Sequence, residues 1–244
     1  PGSVFKAVYY GLALDGGRYA MDSILEGKPY EPEPGEVWNP RNIDKTIDGK
    51  VLLRTSLIRS LNTSSIRLFA RLGANNVVTW ARKLGIRSTL IADKALALGA
   101  SCVHMDELGR AFSVYVQGGA LREPVYVTRI TDKRGRVLVD RRSPLAADVH
   151  VAGRADRMMA EALAGPTQVI DERTAFLMTR LLREVVTAGI GGRAGTIGVP
   201  CGGKSGTASK GPFTTDTWFS GFTSRHTTVA WMGDDAYERS MGDE

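Results

Sequence analysis

Three short polar patterns along the chain could together support nucleophilic catalysis by a serine. Ser3 and Lys6 form a Ser-x-x-Lys pattern, Ser60 and Asn62 form a Ser-x-Asn pattern, and residues 204–206 form Lys-Ser-Gly. Residues i and i+3 of a helix share a face, so the Lys6 amine can reach the Ser3 hydroxyl. A serine hydroxyl is a weak nucleophile until a neighbouring base takes its proton. The patterns therefore predict an acyl-transfer site.

Lys6 can serve as that base only if its amine is neutral. Burial against Phe5 and Val8, together with repulsion from a second cation such as Lys204, would lower the pKa of Lys6. Ser3 lies at a helix start, where its backbone N–H can donate to a developing oxyanion. Taken alone, Ser3 would be interpreted as a helix N-cap and Lys204 as a solvated strand lysine. The order and context of the three patterns favour catalysis.

Other classes of site have little support in the sequence. His104, His150 and His226 are isolated, and no Gly-x-Ser-x-Gly surrounds a serine, so neither a metal site nor a hydrolase elbow is indicated. Cys102 and Cys201 lack zinc or redox spacing and either pair or are two buried thiols. The arginines are scattered and no basic run alternates with aromatic residues, so nucleic-acid binding is not indicated. We expect no metal and no cofactor.

The composition is typical of a globular chain that is long enough to bury a large core. The sequence has 244 residues, of which 43% are hydrophobic and 24% are charged, and its net charge is +6. These values exclude a disordered or fibrous chain. No stretch approaches the roughly 20 apolar residues that a membrane helix needs. The excess positive charge is expected to lie on a solvated surface.

The elements that must position the polar patterns follow from the hydrophobic periodicity. Helices are predicted at 3–14, 51–72, 76–84, 105–116 and 171–188; the second is broken at the polar residues 60–65, and Asp171 caps the last. A proline-rich extended loop is predicted at 26–50, and a hairpin at 125–139. Three consecutive antiparallel strands are predicted at 203–209, 217–223 and 227–233. Because strands cluster after the helices, the sequence predicts one α+β domain over residues 1–244.

The chain resembles the transpeptidase domain of class A (bifunctional) penicillin-binding proteins. Ser-x-x-Lys, Ser-x-Asn and Lys-Ser-Gly in this order are typical of penicillin-binding proteins and class A β-lactamases. The flanking segments agree: residues 1–6 resemble the family's nucleophile segment, and residues 176–178, 204–207, 216–222 and 229–235 resemble its later helix and strands. The resemblance covers essentially the whole chain. It implies a penicillin-binding/β-lactamase-like fold, an antiparallel sheet with a helical region.

The resemblance implies a catalytic role for four side chains. Ser3 would be the acylated nucleophile and Lys6 its base. Ser60 would relay the proton to the leaving amine. Lys204 would set the electrostatics of the cleft.

It also implies a set of substrate-binding residues: Asn62, Ser205, Gly206, Thr207 and Ser209. Asn62 would bind the peptide backbone of the substrate. The hydroxyls of Ser205 and Thr207 would bind its terminal carboxylate, for which Ser209 is a weaker candidate. The backbone N–H of Thr207 would be the second donor of the oxyanion hole.

The function implied is peptidoglycan D,D-transpeptidation. Ser3 would attack the D-Ala-D-Ala amide of a stem peptide, D-Ala would leave, and an amine of a neighbouring peptide would take the acyl group. The implied partners are these stem peptides and β-lactam antibiotics, which would acylate Ser3, with no nucleic acid. The implied location is periplasmic or extracytoplasmic, with a membrane anchor outside this chain.

Two alternatives remain open. One is a serine hydrolase of the same fold, either a D,D-carboxypeptidase or a β-lactamase. However, no Glu-x-x-x-Asn segment after Asn62 resembles the one that places a hydrolytic water in class A β-lactamases. The other is a non-catalytic penicillin-binding sensor or scaffold.

The chain also departs from the family pattern. The family usually has threonine where this chain has Ser205, and serine keeps the hydroxyl. The family fold has two strands and a helix before the nucleophile segment and a helix after the last strand. We therefore expect a fragment, incomplete at both ends, whose three-stranded sheet exposes an edge and an apolar face.

Overall fold

The computed structural model describes residues 1–43, 49–141, 155–156, 158–159, 165–210, 213–234, 236 and 239–241. The chain divides into two units: the first comprises Pro1–Leu121 and Gln168–Glu244, and the second comprises Arg122–Thr167. All of the residues predicted to form the site lie in the first unit.

The helices of the first unit bury apolar side chains at helical spacing. A 3₁₀ turn, Gly2–Phe5, continues directly into the first helix. The helices are α1 (Lys6–Leu14), α2 (Leu53–Ile58), α3 (Asn62–Leu72), α4 (Ala74–Lys83), α5 (Met105–Val116) and α6 (Glu172–Ala188). Further 3₁₀ turns are Asp15–Gly17, Lys94–Leu98 and Gly192–Ile197.

Helix α1 is the central helix of the first unit. Residues 4–11 are all buried, and α1 packs against α3, α4 and α6. A helix that is apolar on every side is a buried helix. The predicted buried helix at 3–14 is therefore confirmed, and it brings Lys6 into the core.

Most helix predictions agree with the structure. Helix α5 spans the predicted residues, and Asp171 caps α6 by accepting a hydrogen bond from the Arg173 N–H at 2.8 Å. The helix predicted at 51–72 is two helices separated at residues 59–61, as the polar cluster indicated. Its first residues form a strand instead, because Val51 pairs with Leu25 in a short antiparallel ladder.

The strands of the chain are β1 (Ile24–Glu26), β2 (Lys50–Leu52), β3 (Ala120–Leu121), β4 (Arg129–Thr131), β5 (Val137–Asp140), β6 (Thr167–Gln168), β7 (Cys201–Lys210), β8 (Phe213–Thr223) and β9 (Thr227–Gly233). The last three form an antiparallel sheet in the order β7-β8-β9. The three predicted strands are confirmed. Strand β8 begins four residues earlier than predicted, because the β7–β8 ladder continues to the pair Lys210↔Phe213.

The sheet buries one face against helices α5 and α6. Alternation along each strand places Lys204, Ser220 and Val229 at one register level of this inner face. On β9 the opposite face carries Met232, which is 56% exposed, beside the exposed Ala230. The expected exposed apolar surface is thus present on the described part of the sheet.

The second unit contains an antiparallel hairpin of β4 and β5. Asp132 organises its turn by accepting hydrogen bonds from the backbone N–H groups of Arg134 and Arg136, both at 2.9 Å. The predicted hairpin is confirmed, but its first strand begins at Arg129 rather than at 125. Val125 and Tyr126, which precede that strand, are 52% and 71% exposed.

Both cysteines are free thiols; Cys102 is exposed and Cys201 is half-buried. The expectation that they either pair or are two buried thiols is therefore wrong on both counts. Within the described part of the chain, no helix combines the length and apolar character needed to span a membrane.

Candidate active site

The 3₁₀ turn Gly2–Phe5, which carries the predicted nucleophile, lies directly on strand β7. Gly2 has a φ of +57°, and a Cβ on it would overlap the carbonyl of Thr207. A Cβ on Gly206 would likewise overlap the carbonyl of Pro1. Only glycine permits two backbones to approach this closely. This contact places the backbone of Ser3, which is half-buried, beside that of Thr207.

Lys6 joins the first two patterns in space. Its Nζ donates hydrogen bonds to the carbonyl oxygens of Ser60 at 2.7 Å and Leu61 at 3.3 Å. The Asn62 Oδ1 accepts from the same amine at 2.7 Å, and the Ser60 Oγ lies 3.4 Å from it. Residues separated by more than fifty positions thus meet around one amine. The predicted convergence of Ser-x-x-Lys and Ser-x-Asn is present.

Two effects favour the neutral form of the Lys6 amine. The side chain is fully buried, and this burial lowers the pKa of Lys6 well below its usual 10.5, with repulsion from Lys204 as the second cause. Lys204 is also fully buried, and its Nζ donates to the Ser205 carbonyl at 2.7 Å. The charge of Lys204, from the Lys-Ser-Gly pattern, therefore acts on Lys6, from the Ser-x-x-Lys pattern.

Ser60 has a backbone conformation that positions the second pattern. Its φ is +54°, and no other described residue except glycines has a positive φ. Its N–H donates to the Leu57 carbonyl at 3.0 Å, and the Leu61 N–H donates to the Ser56 carbonyl at 2.9 Å. Ser60 is therefore the left-handed residue that follows the C-cap Arg59 in a Schellman motif. This motif ends α2 and turns the carbonyls of Ser60 and Leu61 toward Lys6. Such backbone strain is common at functional sites.

The Asn62 amide is oriented by partners on both sides. Its Oδ1 accepts from Lys6, and its Nδ2 donates to the Arg41 carbonyl at 2.7 Å. Because a backbone carbonyl only accepts, the nitrogen must face Arg41. The amide nitrogen carries a second N–H that can donate to a ligand carbonyl.

The side chains of β7 divide between the two faces of the sheet. Lys204 points inward, whereas Ser205, Thr207 and Ser209 alternate to the other face. Ser205 lines an open cavity of about 370 Å³ on that face. Ser209 is exposed near the hairpin tip. The structure therefore brings Ser60, Asn62 and Lys204 close to the Lys6 amine. Strand β7 forms one side of this site.

Ser64 and Ser65, which follow Asn62, belong to a buried hydrogen-bond network that supports the site. The Tyr10 hydroxyl lies 2.7 Å from the Ser56 Oγ and 2.8 Å from the Ser65 Oγ, and the Ser56 Oγ lies 2.6 Å from the Ser64 Oγ. Burial raises the pKa of Tyr10 to about 12, so it remains a neutral hydrogen-bonding group. This network ties α1 to α2 and α3.

Sequence reasoning missed Asn42. Its side chain hydrogen-bonds the backbone at the start of α3, although it lies in a loop predicted only as a connection. One signal was present: α3 starts after Leu61, which has no side-chain acceptor, so the helix needs a cap from another segment.

Comparison with known proteins supports the predicted fold. The family model for the penicillin binding protein transpeptidase domain matches residues 1–239. Among curated proteins, the chain is 32% identical over 272 residues to penicillin-binding protein 1A of Pseudomonas aeruginosa; the match covers 98% of this chain and 33% of that protein. The chain thus spans about a third of that relative's length.

Solved structures agree with this match. The crystal structure of penicillin-binding protein 1A from Haemophilus influenzae has a TM-score of 0.78 at 28% identity, and the match covers 99% of this chain and 38% of that chain. PonA1 from Mycobacterium tuberculosis in complex with penicillin V shares the fold, with a TM-score of 0.76 at 19% identity over 98% of this chain and 61% of that chain. The predicted resemblance and the predicted α+β transpeptidase fold are confirmed.

Proposed function

The chain belongs to the penicillin-binding protein transpeptidase family, and we propose that it catalyses D,D-transpeptidation of peptidoglycan with Ser3 as the nucleophile. The observation that carries this proposal is the buried Lys6 amine. It lies among the Ser-x-Asn residues and beside Lys204, where its lowered pKa suits a general base.

The first half-reaction acylates Ser3. The Ser3 Oγ attacks the carbonyl carbon of the penultimate D-Ala, and its proton passes to the neutral Lys6 amine. The negative charge that develops on the carbonyl oxygen is stabilised by the backbone N–H groups of Ser3 and Thr207. These donors are neighbours because Gly2 and Gly206 let the two backbones touch.

The acylation is completed when the peptide C–N bond breaks. The leaving D-Ala amine takes a proton through the Ser60 hydroxyl, which lies 3.4 Å from the Lys6 Nζ. In the second half-reaction, an amine of a neighbouring stem peptide attacks the ester carbonyl and loses its proton to the same Lys6–Ser60 pair. Ser3 is regenerated and the two peptides are cross-linked.

Substrate binding is assigned to β7 and to Asn62. The second N–H of the Asn62 amide donates to a carbonyl of the donor peptide. The hydroxyls of Ser205 and Thr207, with Ser209 as a weaker candidate, bind the terminal carboxylate, and Lys204 supplies the positive potential that attracts it. Gly206 keeps the strand close to the nucleophile turn.

The proposed partners are stem peptides as donor and acceptor, and β-lactams as acylating inhibitors. PonA1 with bound penicillin V, a protein of the same fold, supports the latter. We further propose that the full-length protein is membrane-anchored and that this domain faces the periplasm or another extracytoplasmic space, where peptidoglycan is assembled.

The proposal is tested first by the intact mass of the chain after incubation with benzylpenicillin. A single stable adduct that peptide mapping places on Ser3, and that is absent from a folded Ser3→Ala variant, is the expected result. Ser113→Ala makes the same change at a half-buried serine of another helix and is expected to keep the adduct. An adduct on folded Ser3→Ala would contradict the assignment.

A second assay separates transpeptidase from the alternatives. The chain is given a model pentapeptide together with an amine acceptor, and products are identified by mass spectrometry. Cross-linked product with release of D-Ala is expected. Release of D-Ala without cross-linking would indicate a carboxypeptidase. In a parallel assay with nitrocefin, rapid turnover would indicate a β-lactamase. Acylation by penicillin without any release of D-Ala would indicate a sensor.

A further inference from the structure

Helix α3 receives its N-terminal cap from a distant loop. The side chain at its own N-cap position, Leu61, makes no capping hydrogen bond, because it has no acceptor for the first N–H groups. The Asn42 Oδ1 takes this role and accepts hydrogen bonds from the backbone N–H groups of Asn62 at 2.7 Å and Thr63 at 3.1 Å. The loop is thereby fastened to the start of the helix.

Asn42 uses the other end of its amide as well. Its Nδ2 donates to the Thr63 Oγ1 at 3.2 Å, and the Thr63 hydroxyl donates to the Gly27 carbonyl at 2.9 Å. Because Oδ1 faces two N–H donors and Nδ2 faces an oxygen, the amide has one satisfied orientation. Asn42 is therefore a fixed group and not a loop side chain that samples many rotamers.

The backbone that Asn42 binds adjoins the Ser60–Asn62 turn, which surrounds the Lys6 amine. Asn62 accepts from Lys6 through Oδ1 and donates to the neighbouring Arg41 carbonyl through Nδ2. Residues 41 and 42 thus restrain both the side chain and the backbone of Asn62. Ser60, with its φ of +54°, lies in the same turn, two residues earlier.

The loop that carries Asn42 is bonded to α3 and is also stabilised by contacts among its own side chains. The guanidinium of Arg67 on α3 donates to the Lys28 and Pro29 carbonyls at 2.5 and 2.8 Å. Tyr30 packs edge-on against Trp38, with ring centroids 5.2 Å apart. Glu36 pairs with Lys94, and this ion pair lowers the pKa of Glu36. These contacts present Asn42 on a restrained backbone.

We propose that Asn42 is a positioning residue of the acyl-transfer site, which holds the Ser60–Asn62 turn in the geometry that Lys6 requires. This inference rests on the proposed function, because the reaction that it supports is the acylation of Ser3.

The test measures the second-order rate constant for acylation by a fluorescent penicillin as a function of pH, together with a melting curve. Asn42→Ala is expected to lower the rate constant on the order of 10²-fold, since small misplacements of reacting groups have effects of this size. Asn39→Ala makes the same change at an exposed position of the same loop. It is expected to remain within about twofold of the unsubstituted chain.

A second variant keeps the capping acceptor and adds a negative charge. In Asn42→Asp, the carboxylate still accepts from the N–H groups of Asn62 and Thr63, so the maximal rate is expected to recover. The new negative charge would lie next to Asn62, which contacts Lys6 directly. The other charged group that acts on Lys6 is Lys204 on β7. An anion there favours protonated Lys6 and raises the pKa of its amine. The acidic limb of the pH profile is therefore expected to move to higher pH.

The outcomes are distinguishable. If the unsubstituted chain is not acylated, the proposed function fails. If it is acylated and folded Asn42→Ala reacts at the same rate, the inference about Asn42 is wrong. If Asn42→Ala does not fold, Asn42→Asp decides: an unshifted pH profile contradicts the proposal, and a shifted one supports it.

Discussion

At the scale of single residues, the chemistry depends on how Lys6 is held. Burial and the nearby Lys204 favour the neutral amine, while four acceptor atoms of residues 60–62 fix where the amine lies. The first effect sets the protonation state and the second sets direction. A base needs both, because proton transfer demands a free lone pair within hydrogen-bonding reach.

Lys6→Met is expected to lower the rate of Ser3 acylation by about 10²–10⁴-fold, which is the usual contribution of a general base. In the unsubstituted chain the rate should rise with pH through the lowered pKa of Lys6, because the protonated amine below that pKa has no lone pair. The measurement is the pH profile of acylation by a fluorescent penicillin. Lys133→Met, at an exposed hairpin position, should leave the profile unchanged; an unchanged profile in Lys6→Met would contradict the assignment.

Ser60 allows its backbone and its hydroxyl to be tested separately. Ser60→Gly and Ser60→Ala both remove the hydroxyl, so both are expected to slow acylation equally. Their stabilities should differ, because glycine adopts the left-handed φ without strain and alanine does not, a difference of about 1 kcal/mol. Denaturant unfolding gives the free energies of both variants. Equal stability would show that the φ of +54° is not retained.

At the scale of elements, the site forms where the first turn of the chain packs on β7. Glycines supply the close approach: Gly2 lies against the Thr207 backbone, Gly99 against Gly2, and Gly206 against Pro1 and Val4. Beneath this contact, the Tyr10 hydroxyl network holds α1 to the two helices that flank Ser60. Backbone contacts thus determine the spacing between Ser3 and Thr207, the proposed nucleophile and the proposed oxyanion donor.

Gly206→Ala tests this backbone contact. The added methyl group would overlap the Pro1 carbonyl, so β7 must move away from the nucleophile turn. Destabilisation of about 1–3 kcal/mol is expected from such overpacking, with loss of acylation because the Thr207 N–H is displaced. Calorimetry and penicillin labelling check both effects. Gly195→Ala, where the new Cβ makes only an ordinary contact at 3.5 Å, should change neither.

At the scale of the first unit, the site unites segments that are far apart in sequence. Ser3, Ser60 and Lys204 come from the beginning, the first third and the end of the chain. Helix α1 is the common support, since it packs against α3 and α6 while its preceding turn packs on β7. A ligand bound to Ser3 and β7 therefore contacts two elements that move apart when the first unit unfolds.

Acylation is accordingly expected to raise the melting temperature of the chain. The acyl group contacts the nucleophile turn and β7 only in the folded state, so it stabilises that state relative to the unfolded one. Differential scanning fluorimetry with and without benzylpenicillin measures the shift, which should be absent in Ser3→Ala. A shift of the same size in Ser3→Ala would mean that non-covalent binding, and not acylation of Ser3, stabilises the chain.

The chemical groups of the site and most of the elements that carry them could be predicted from the sequence. Ser-x-x-Lys at the start of an apolar helix implied a serine with a buried base, because the spacing of a helix is local. The bounds of α5, the Asp171 cap of α6 and the three final strands were also predictable, since periodicity and capping act over a few residues.

How these groups face one another could not be predicted, because it depends on the folding of the whole unit. The left-handed Ser60, the division of β7 between inner and outer faces, and the cap that Asn42 supplies to α3 were not predictable. Each depends on contacts between segments far apart in the chain, and local propensity carries no information about such contacts. Residues 51–52 likewise form a strand instead of a helix because a partner, β1, lies beside them. The burial and lowered pKa of Lys6 were expected from its helix, but the oxygen atoms of residues 60–62 that surround its amine come from the same long-range packing.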